Sequence, residues 1–311
     1  MPELPEVETM RRGIAAVAGC TIRAVQRPSL RVQPVEMSPR LAFFRRRSVG
    51  RQITAVGRLG KRIVLDLDSG DAIVIEPRMS GLVLLGEPPD RGHLHLVIEL
   101  SREKGTVPEC GSDLEDGATL YERAAHERGQ SPFPRQLLFW DQRGLGVVRL
   151  VTPAQRESHY GAERIGPDAL EISVAQLRER LGSSRRAIKV ALLDQRAVAG
   201  IGNIYASESL HRAGIHPTEP CNRLSPQQWT VLCREIRKVL REAIRRQGST
   251  LRDMVYRNAR GEPGEYRFRV YQRTGQSCLH CGQVGIVRIV QAQRSTFFCP
   301  ACQPASPPNI E

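Results

Sequence analysis

Two cysteine pairs near the end of this chain constrain its folding more than any other feature. Cys278-Leu-His-Cys281 and Cys299-Pro-Ala-Cys302 are separated by seventeen residues. Each pair can bend into a knuckle that aims both sulfurs at one ion, and four thiolates suit tetrahedral zinc. A closed four-cysteine set leaves no open coordination position, so the expectation is one structural Zn2+ and not a catalytic one. His280 sits inside the first knuckle and is not expected to be a ligand. Between the knuckles, IVRIVQAQRSTFFC alternates like a β-hairpin. Arg294 then falls near its turn or at a strand end, where an arginine suits phosphate.

The rest of the chain is long enough for further domains, with 311 residues and 40% apolar content. The first half mixes one helix with strand-like runs. ITAVGRLGKRIVLDLDSGDAIVIEPRMSGLVLLG is aliphatic and broken by Gly and Asp-Ser-Gly turns. HLHLVIEL, from His93 to Leu100, alternates with both histidines on one face. QLLFWDQRGLGVVRL reads as a further strand-like run ending near Leu150. These predict an antiparallel sheet region folded as a sandwich. The polar stretch over 101–136 reads as a long surface excursion, functional or disordered. Cys110 within it has no predicted role.

From about Pro153 the pattern turns helical. Ser173 can cap a helix carrying Leu177 and Leu181, closed by Gly182. Ile188, Leu192 and Leu193 mark a second helix, and a third begins near Asn203. Ser225-Pro226 opens a strong one, with Trp229, Leu232, Ile236, Val239, Leu240 and Ile244 at helical spacing and Gly248 as its stop. RNARGEPGEYRFR, from Arg257 to Arg269, reads as a linker. The predicted fold class is therefore α+β and multidomain. Its expected parts are an N-terminal β-sandwich domain with a flanking helix over 1–152, with the insertion loop at 101–136, and a helical domain over 153–266. A cysteine module over 267–305 and a tail over 306–311 complete the chain.

Lys plus Arg outnumber Asp plus Glu by 46 to 33, for a net charge of +13, and such an excess points to a polyanionic partner, most often nucleic acid. No apolar run approaches the ~20 residues needed to span a bilayer, and the N-terminus lacks a signal-peptide pattern. The expectation is a cytosolic protein with no membrane contact. In that compartment eight cysteines are thiols or metal ligands, not a disulfide framework.

Two further stretches carry chemistry. In VAGIGNIYASESL, Gly200 and Gly202 flank Ile201 just before a helix start. Small residues there allow close backbone approach, and helix N–H groups suit phosphate. A tight helix–turn–helix corner explains the glycines equally well. The chain opens MPELPEVETM, with Glu3 and Glu6 on one face of a helical turn. Pro5, Glu6 and Glu8 suit a helix start, but Pro2 and Glu3 are left unexplained by it. Initiator methionine is normally removed before proline, which would leave Pro2 with a free secondary amine. Such an amine can attack a sugar C1′ to give a cationic iminium, and Glu3 beside it could exchange protons.

Together these segments resemble the formamidopyrimidine-DNA glycosylase family. MPELPEVET matches its N-terminal signature. RAIKVALLDQRAVAGIGNIYASESLHRAGIHP resembles its helix–two-turns–helix segment, and AQRSTFFCPAC the end of its zinc finger. The resemblance covers nearly the whole chain outside 101–136 and the tail. It implies a DNA-formamidopyrimidine glycosylase and abasic-site lyase of base-excision repair, acting on double-stranded DNA that carries a damaged base or abasic site. It also implies the fold: sandwich, helix–two-turns–helix domain and zinc-finger hairpin. By the resemblance Pro2 is the nucleophile, Glu3 the adjacent acid/base and Glu6 the second acidic residue of the motif. Lys61 is implied to contact phosphate from a hairpin loop, and Asn203 and Arg294 to clamp phosphate. Glu208 matches a helix residue near the N-terminal proline. Met79 matches the side chain that fills the void left by the extruded nucleotide, His93 a histidine along the DNA path, and Arg143 the residue that reaches the unpaired base. The implied substrates are oxidised purines, 8-oxoguanine and formamidopyrimidines. PEL at the start favours this branch over the endonuclease VIII relatives, which prefer oxidised pyrimidines.

The departures from the family pattern are local. Leu145 stands where an aromatic wedge is usual, with Gly144 in place of a second arginine. Glu76-Pro77 replaces a His-Leu pair before Arg78-Met79. These keep two other readings open: the same chemistry on oxidised pyrimidines or abasic sites, and a DNA lesion-binding protein without turnover.

Overall fold

A computed structural model describes residues 2–30, 32–102, 134–249 and 263–305. The expectations for the excursion, the linker and the tail fall largely outside these residues. The chain divides into two compact units, one of residues 1–159 with 247–265 and the other of residues 160–246 with 266–311.

The first unit is a two-sheet sandwich. Its strands are β1 (Thr21–Gln26), β2 (Glu36–Ser38), β3 (Ile53–Leu59), β4 (Arg62–Leu67), β5 (Ala72–Glu76), β6 (Gly81–Leu84), β7 (Leu94–Ser101), β8 (Gln136–Asp141) and β9 (Val147–Val151). One sheet runs β1-β7-β8-β6 and the other β2-β9-β5-β4-β3; every pairing is antiparallel except β2 with β9. Alternation and β-branching put Ile63, Leu65, Ile73, Ile75 and Val148 of one sheet into the same core as Ile22, Leu96, Ile98, Leu137 and Phe139 of the other. Helix α1 (Leu4–Gly13) adds Val7 and Met10 to that core and packs on β3, β4 and β6. Helix α2 (Leu41–Ser48) contributes Phe44.

The run read as one strand across QLLFWDQRGLGVVRL is two strands. Asp141 ends β8, and Gly144 takes φ 62°, a conformation that L side chains rarely adopt. Strand β7 begins at Leu94, one residue after the expected His93.

Glu8 ties α1 to the β3–β4 hairpin. Its carboxylate is 7% exposed and accepts from Arg11, Arg12 and Arg58, with Arg58 Nε at 3.0 Å. Burial alone would raise its pKa, but the hydrogen bonds of Arg11 and Arg12 and the charges of Arg11 and Arg58 outweigh it and hold the carboxyl at about 2. The folded value lies below the unfolded one, so this stabilisation is present above about pH 4.5 and is lost as pH falls toward about 2. Glu8→Gln should therefore lower stability by about 2–4 kcal/mol near pH 7 and make it less dependent on acid. Chemical denaturation at pH 7 and pH 3 measures both effects.

The second unit is helical with a terminal hairpin. Helix α3 (Pro153–Tyr160) straddles the boundary. Helices α4 (Val174–Leu181), α5 (Ile188–Ala191), α6 (Asn203–Ala213) and α7 (Pro226–Arg245) follow, then β10 (Val287–Gln291) and β11 (Arg294–Phe298). Ser173 and Ser225 each close a capping box, with Gln176 and Gln228 respectively. The apolar stripe of α7 is buried as its spacing predicts. The helix ends before Gly248, because Gln247 already turns left-handed at φ 57°. Among the described residues, no helix is long and apolar enough to cross a membrane.

Candidate active site and metal centre

From Pro2 onward the start of the described chain is buried in the first unit. Pro2, Glu3 and Glu6 are all buried. Glu3 is the N-cap of α1, and Pro5 suits the first turn because its missing N–H needs no partner there. Glu6 reaches back with Oε2 to accept the Glu3 N–H at 2.9 Å. Its Oε1 accepts both the backbone N–H and the hydroxyl of Ser249 at 2.9 Å each. One buried carboxylate thus fixes the backbone at Glu3 and anchors the segment at Ser249.

Lys61 lies at the tip of the β3–β4 hairpin. Leu59 pairs with Arg62, and Gly60 takes φ 57° at the first turn position, as a tight hairpin requires. Arg58 fixes this tip, donating to Gly60 O at 3.0 Å and to Glu8. The lysine is therefore carried on a loop linked to α1 through a buried ion pair.

Two loops of the same unit carry three of the expected site residues. Met79 is half-buried in the loop between β5 and β6, next to buried Ser80. Arg143 and Leu145 are exposed in the loop between β8 and β9, while Asp141, Gly144 and Gly146 around them are buried. Ser80 Oγ donates to Asp141 Oδ1 and accepts the Arg143 N–H at 3.0 Å. His93 is half-buried; its Nδ1 lies 2.8 Å from Asp90 Oδ1, and its ring meets Trp140 edge-on at 5.7 Å. His95, which received no role from the sequence, is buried. Its Nδ1 accepts the Val35 N–H at 3.3 Å, which assigns the proton to Nε2, and Nε2–H donates to Asp141 O at 2.8 Å. Burial pushes its pKa down, in keeping with a neutral ring.

In the second unit Asn203 opens α6 directly after Gly202. Its Oδ1 accepts from Lys189 Nζ, and its Nδ2 donates to Ser295 O at 2.9 Å and reaches Tyr271 OH at 3.5 Å. Lys189 is fully buried, and sequence reasoning missed it; a lysine within a short apolar helix carries no signal of its own. Ser295 follows Arg294, so these bonds bring the hairpin end and the α6 N-terminus together. Arg294 is exposed at the start of β11, after a tight turn in which Ala292 and Gln293 both have positive φ, 46° and 60°. Non-glycine residues in that conformation store strain. Glu208, on α6, is fully buried. Its carboxylate accepts the N–H groups of Arg269, Val270 and Tyr271 at 2.9–3.1 Å. Burial raises its pKa, against the pull of those three N–H groups.

The four cysteines converge. Their sulfurs all lie within 4.8 Å of one another. Cys278 and Cys302 are 3.8 Å apart and Cys281 and Cys299 3.7 Å apart. A tetrahedral site with metal–sulfur bonds of ~2.3 Å has edges of ~3.8 Å, so the donor set fits such an ion. His280 is not among the groups that converge there. His211 Nε2 lies 3.4 Å from Cys278 Sγ, a contact that sequence gave no hint of.

The first unit is a sandwich in which Pro2 is buried, the second has a glycine-flanked helix start and a four-cysteine hairpin, and comparison with known proteins supplies the class they belong to. Residues 1–109 match the family model "Formamidopyrimidine-DNA glycosylase N-terminal domain", 165–255 its "H2TH domain", and 275–305 the "Zinc finger found in FPG and IleRS". The chain is 41% identical over 310 residues to formamidopyrimidine-DNA glycosylase of Chloroflexus aggregans, covering 97% of this chain and 98% of that one. Among solved structures it is similar to the MutM (Fpg) protein of Thermus thermophilus, with TM-score 0.76 and 33% identity over 98% of this chain and all of that one. It is also similar to Lactococcus lactis Fpg in complex with DNA containing an abasic site, with TM-score 0.76 and 28% identity over 97% of this chain and all of that one. The chain belongs to the formamidopyrimidine-DNA glycosylase family, glycosylases and abasic-site lyases that act in base-excision repair of damaged DNA.

Proposed function

We propose that this protein excises oxidised purines, 8-oxoguanine and formamidopyrimidines, from duplex DNA through an imine on Pro2, and then cleaves the strand by β,δ-elimination. The observation that carries this reading is the Pro2-Glu3 pair, buried at the start of α1 with the Glu3 backbone held by Glu6. The reaction needs a nucleophile at a fixed place, and here the nucleophile's neighbour is hydrogen-bonded into a rigid element. The damaged nucleotide leaves the stack. The Pro2 nitrogen, freed by removal of Met1, bonds to C1′ as the glycosidic bond breaks and the base departs with its electron pair. The nitrogen loses its proton, and its lone pair then expels O4′ from C1′; O4′ takes up a proton, the sugar ring opens and a cationic iminium remains, with Glu3 exchanging protons with the sugar and the leaving base. The iminium makes the C2′ proton acidic, so its loss expels the 3′ phosphate; a second elimination expels the 5′ phosphate. The products are the free base, an unsaturated sugar fragment released from the amine, and a gap with phosphate at both ends.

Lys61, Asn203 and Arg294 hold the backbone phosphates around the extruded nucleotide, and His93 lies along the DNA path. Met79 fills the space the nucleotide vacates, Arg143 reaches the unpaired partner base, and Leu145 stands as the wedge into the stack. Cys278, Cys281, Cys299 and Cys302 hold one Zn2+, supported by the sulfur spacing; four ligating thiolates leave it a structural role. The protein works as a monomer in the bacterial cytosol.

Leu145 favours no other lesion class by itself, since an aliphatic wedge can also part a base step. A panel of duplexes carrying 8-oxoguanine, formamidopyrimidine, thymine glycol or an abasic site tests the substrate. Single-turnover excision of the two purine lesions should exceed that of thymine glycol by about 10–100-fold, the discrimination that a fitted pocket supplies. Equal or faster release of thymine glycol would move the protein to the pyrimidine-excising reading.

A further inference from the structure

We propose that Asp141 is a positioning residue that locks the Met79 loop and the Arg143–Leu145 loop into one rigid body, so that both enter the duplex as a unit. This rests on the reading of Met79, Arg143 and Leu145 given above.

The Asp141 carboxylate is fully buried and every described bond to it comes from a loop backbone or from Ser80. Oδ1 accepts the Ser80 hydroxyl and, at 3.2 Å, the Arg143 N–H; Oδ2 accepts the Gly146 N–H at 2.7 Å. An aspartate that only starts a turn needs one bond to the N–H two residues on. This one also spans the whole loop to Gly146 and crosses to Ser80, sixty-one residues away in sequence. Ser80 completes a three-way junction by accepting the Arg143 N–H. Behind the carboxylate, the Asp141 backbone is fixed on both sides. Its N–H donates to His93 O at 2.9 Å, and its carbonyl accepts from His95 Nε2.

Packing closes the remaining freedom. A Cβ on Gly146 would come within 2.5 Å of Phe139 Cζ, and one on Gly81 within 2.8 Å of the same ring, so both loops press on Phe139. A Cβ on Gly144 would come within 2.1 Å of Gln33 O. The side chains that escape this anchoring are Gln142, Arg143 and Leu145, all exposed. Buried Asp141, Gly144 and Gly146 thus anchor the loop around exposed Arg143 and Leu145, and Ser80 plays the anchor beside Met79. Side chains that replace an extruded nucleotide act only in register with each other. Pre-organised loops avoid the ordering cost that separate loops would meet on binding.

The test uses Asp141→Asn, which keeps the shape but puts an amide N–H2 against donors, and Ser80→Ala, which removes only the cross-loop hydroxyl. Two rates are compared: excision of 8-oxoguanine from a duplex, and cleavage of a single strand carrying an abasic site. The single strand has no partner base and no stack to fill. Asp141→Asn should slow duplex excision by about 10–100-fold while changing single-strand cleavage by less than about twofold, because misplacement and not chemistry is at fault. Ser80→Ala should show the same selectivity at smaller amplitude. Met79→Ala and Arg143→Ala should be coupled in the wild type and additive in the Asp141→Asn background. Equal losses on both substrates, or no loss on the duplex, would overturn the proposal; if Asp141→Asn does not fold, the selectivity of Ser80→Ala decides it. Should Met79→Ala and Arg143→Ala leave wild-type duplex excision unchanged, their place at the lesion is wrong and the proposal falls with it. If they slow excision and neither anchor variant does, only the coupling is wrong.

Discussion

A form of the protein that retains Met1 is expected to bind damaged duplex normally and to excise nothing. In the Met1–Pro2 amide the nitrogen lone pair is delocalised into the carbonyl, so it cannot attack C1′. The loss should reach at least about 10⁴-fold in single-turnover rate, as removal of a covalent nucleophile costs elsewhere. Duplex affinity should change little, because the phosphate contacts proposed above lie on other residues. Glu3→Gln is the companion variant: the amine remains, so an imine can still form on an abasic site, but proton exchange at the base and sugar is impaired. A free α-amino group titrates near ~8. The processed wild type should therefore speed up as pH rises toward that value, and the retained form should show no such limb. A Met1-retaining protein as fast as the processed one would remove Pro2 from the mechanism.

Loss of the metal should have the second-largest effect. The core of the cysteine module contains Val270, Ile286 and Phe297 besides Cys278 and Cys299, too few apolar groups to hold a hairpin alone. Four thiolates held near ~3.8 Å without a cation would also repel one another. Removing the proposed zinc by chelation, or by Cys299→Ser, should therefore release β10 and β11. Asn203 then loses its bond to Ser295 O, and Arg294 loses its place beside α6. Affinity for a lesion duplex should fall by about 100-fold, equivalent to ~2.8 kcal/mol, the scale of one charge-assisted hydrogen bond lost with its geometry. The salt dependence of binding should flatten by about one phosphate contact. The sandwich unit contains none of these cysteines and should keep its own unfolding transition. Titrating metal by inductively coupled plasma spectrometry against duplex affinity measures the link. Unchanged affinity in metal-free protein would show that the hairpin is dispensable.

The features legible in the sequence were those with local spacing. Each CxxC knuckle, the Ser173 and Ser225 caps and the stripe of α7 join residues only a few positions apart. The helical stop at Gly248 was misplaced by a residue or two because left-handed Gln247 gives no compositional signal. The β8–β9 break was hidden because Asp141 to Gly146 reads as an apolar-flanked strand, while its bonds go to Ser80, His95 and its own loop. The burial of Lys189, Glu8 and Glu208 was hidden for the same reason. Each is a buried polar group whose partners include residues distant in sequence or backbone groups, and burial cannot be read from residue type. Met79, Arg143 and Leu145 came from family resemblance alone; the exposure of Arg143 and Leu145, the half-buried place of Met79 and the shared Ser80–Asp141 junction give them a physical setting.

The central claim is that the Pro2 nitrogen forms a covalent imine with damaged DNA. Borohydride trapping tests it most directly, with purified processed protein on duplexes carrying 8-oxoguanine or an abasic site. The adduct is digested and the modified peptide identified by mass spectrometry. The expected result is a reduced adduct on the N-terminal peptide at Pro2, absent from Met1-retaining protein. An adduct on Lys61 would contradict the assignment of the nucleophile. No adduct from processed protein that still binds either duplex would contradict the chemistry and leave a lesion-binding protein without turnover.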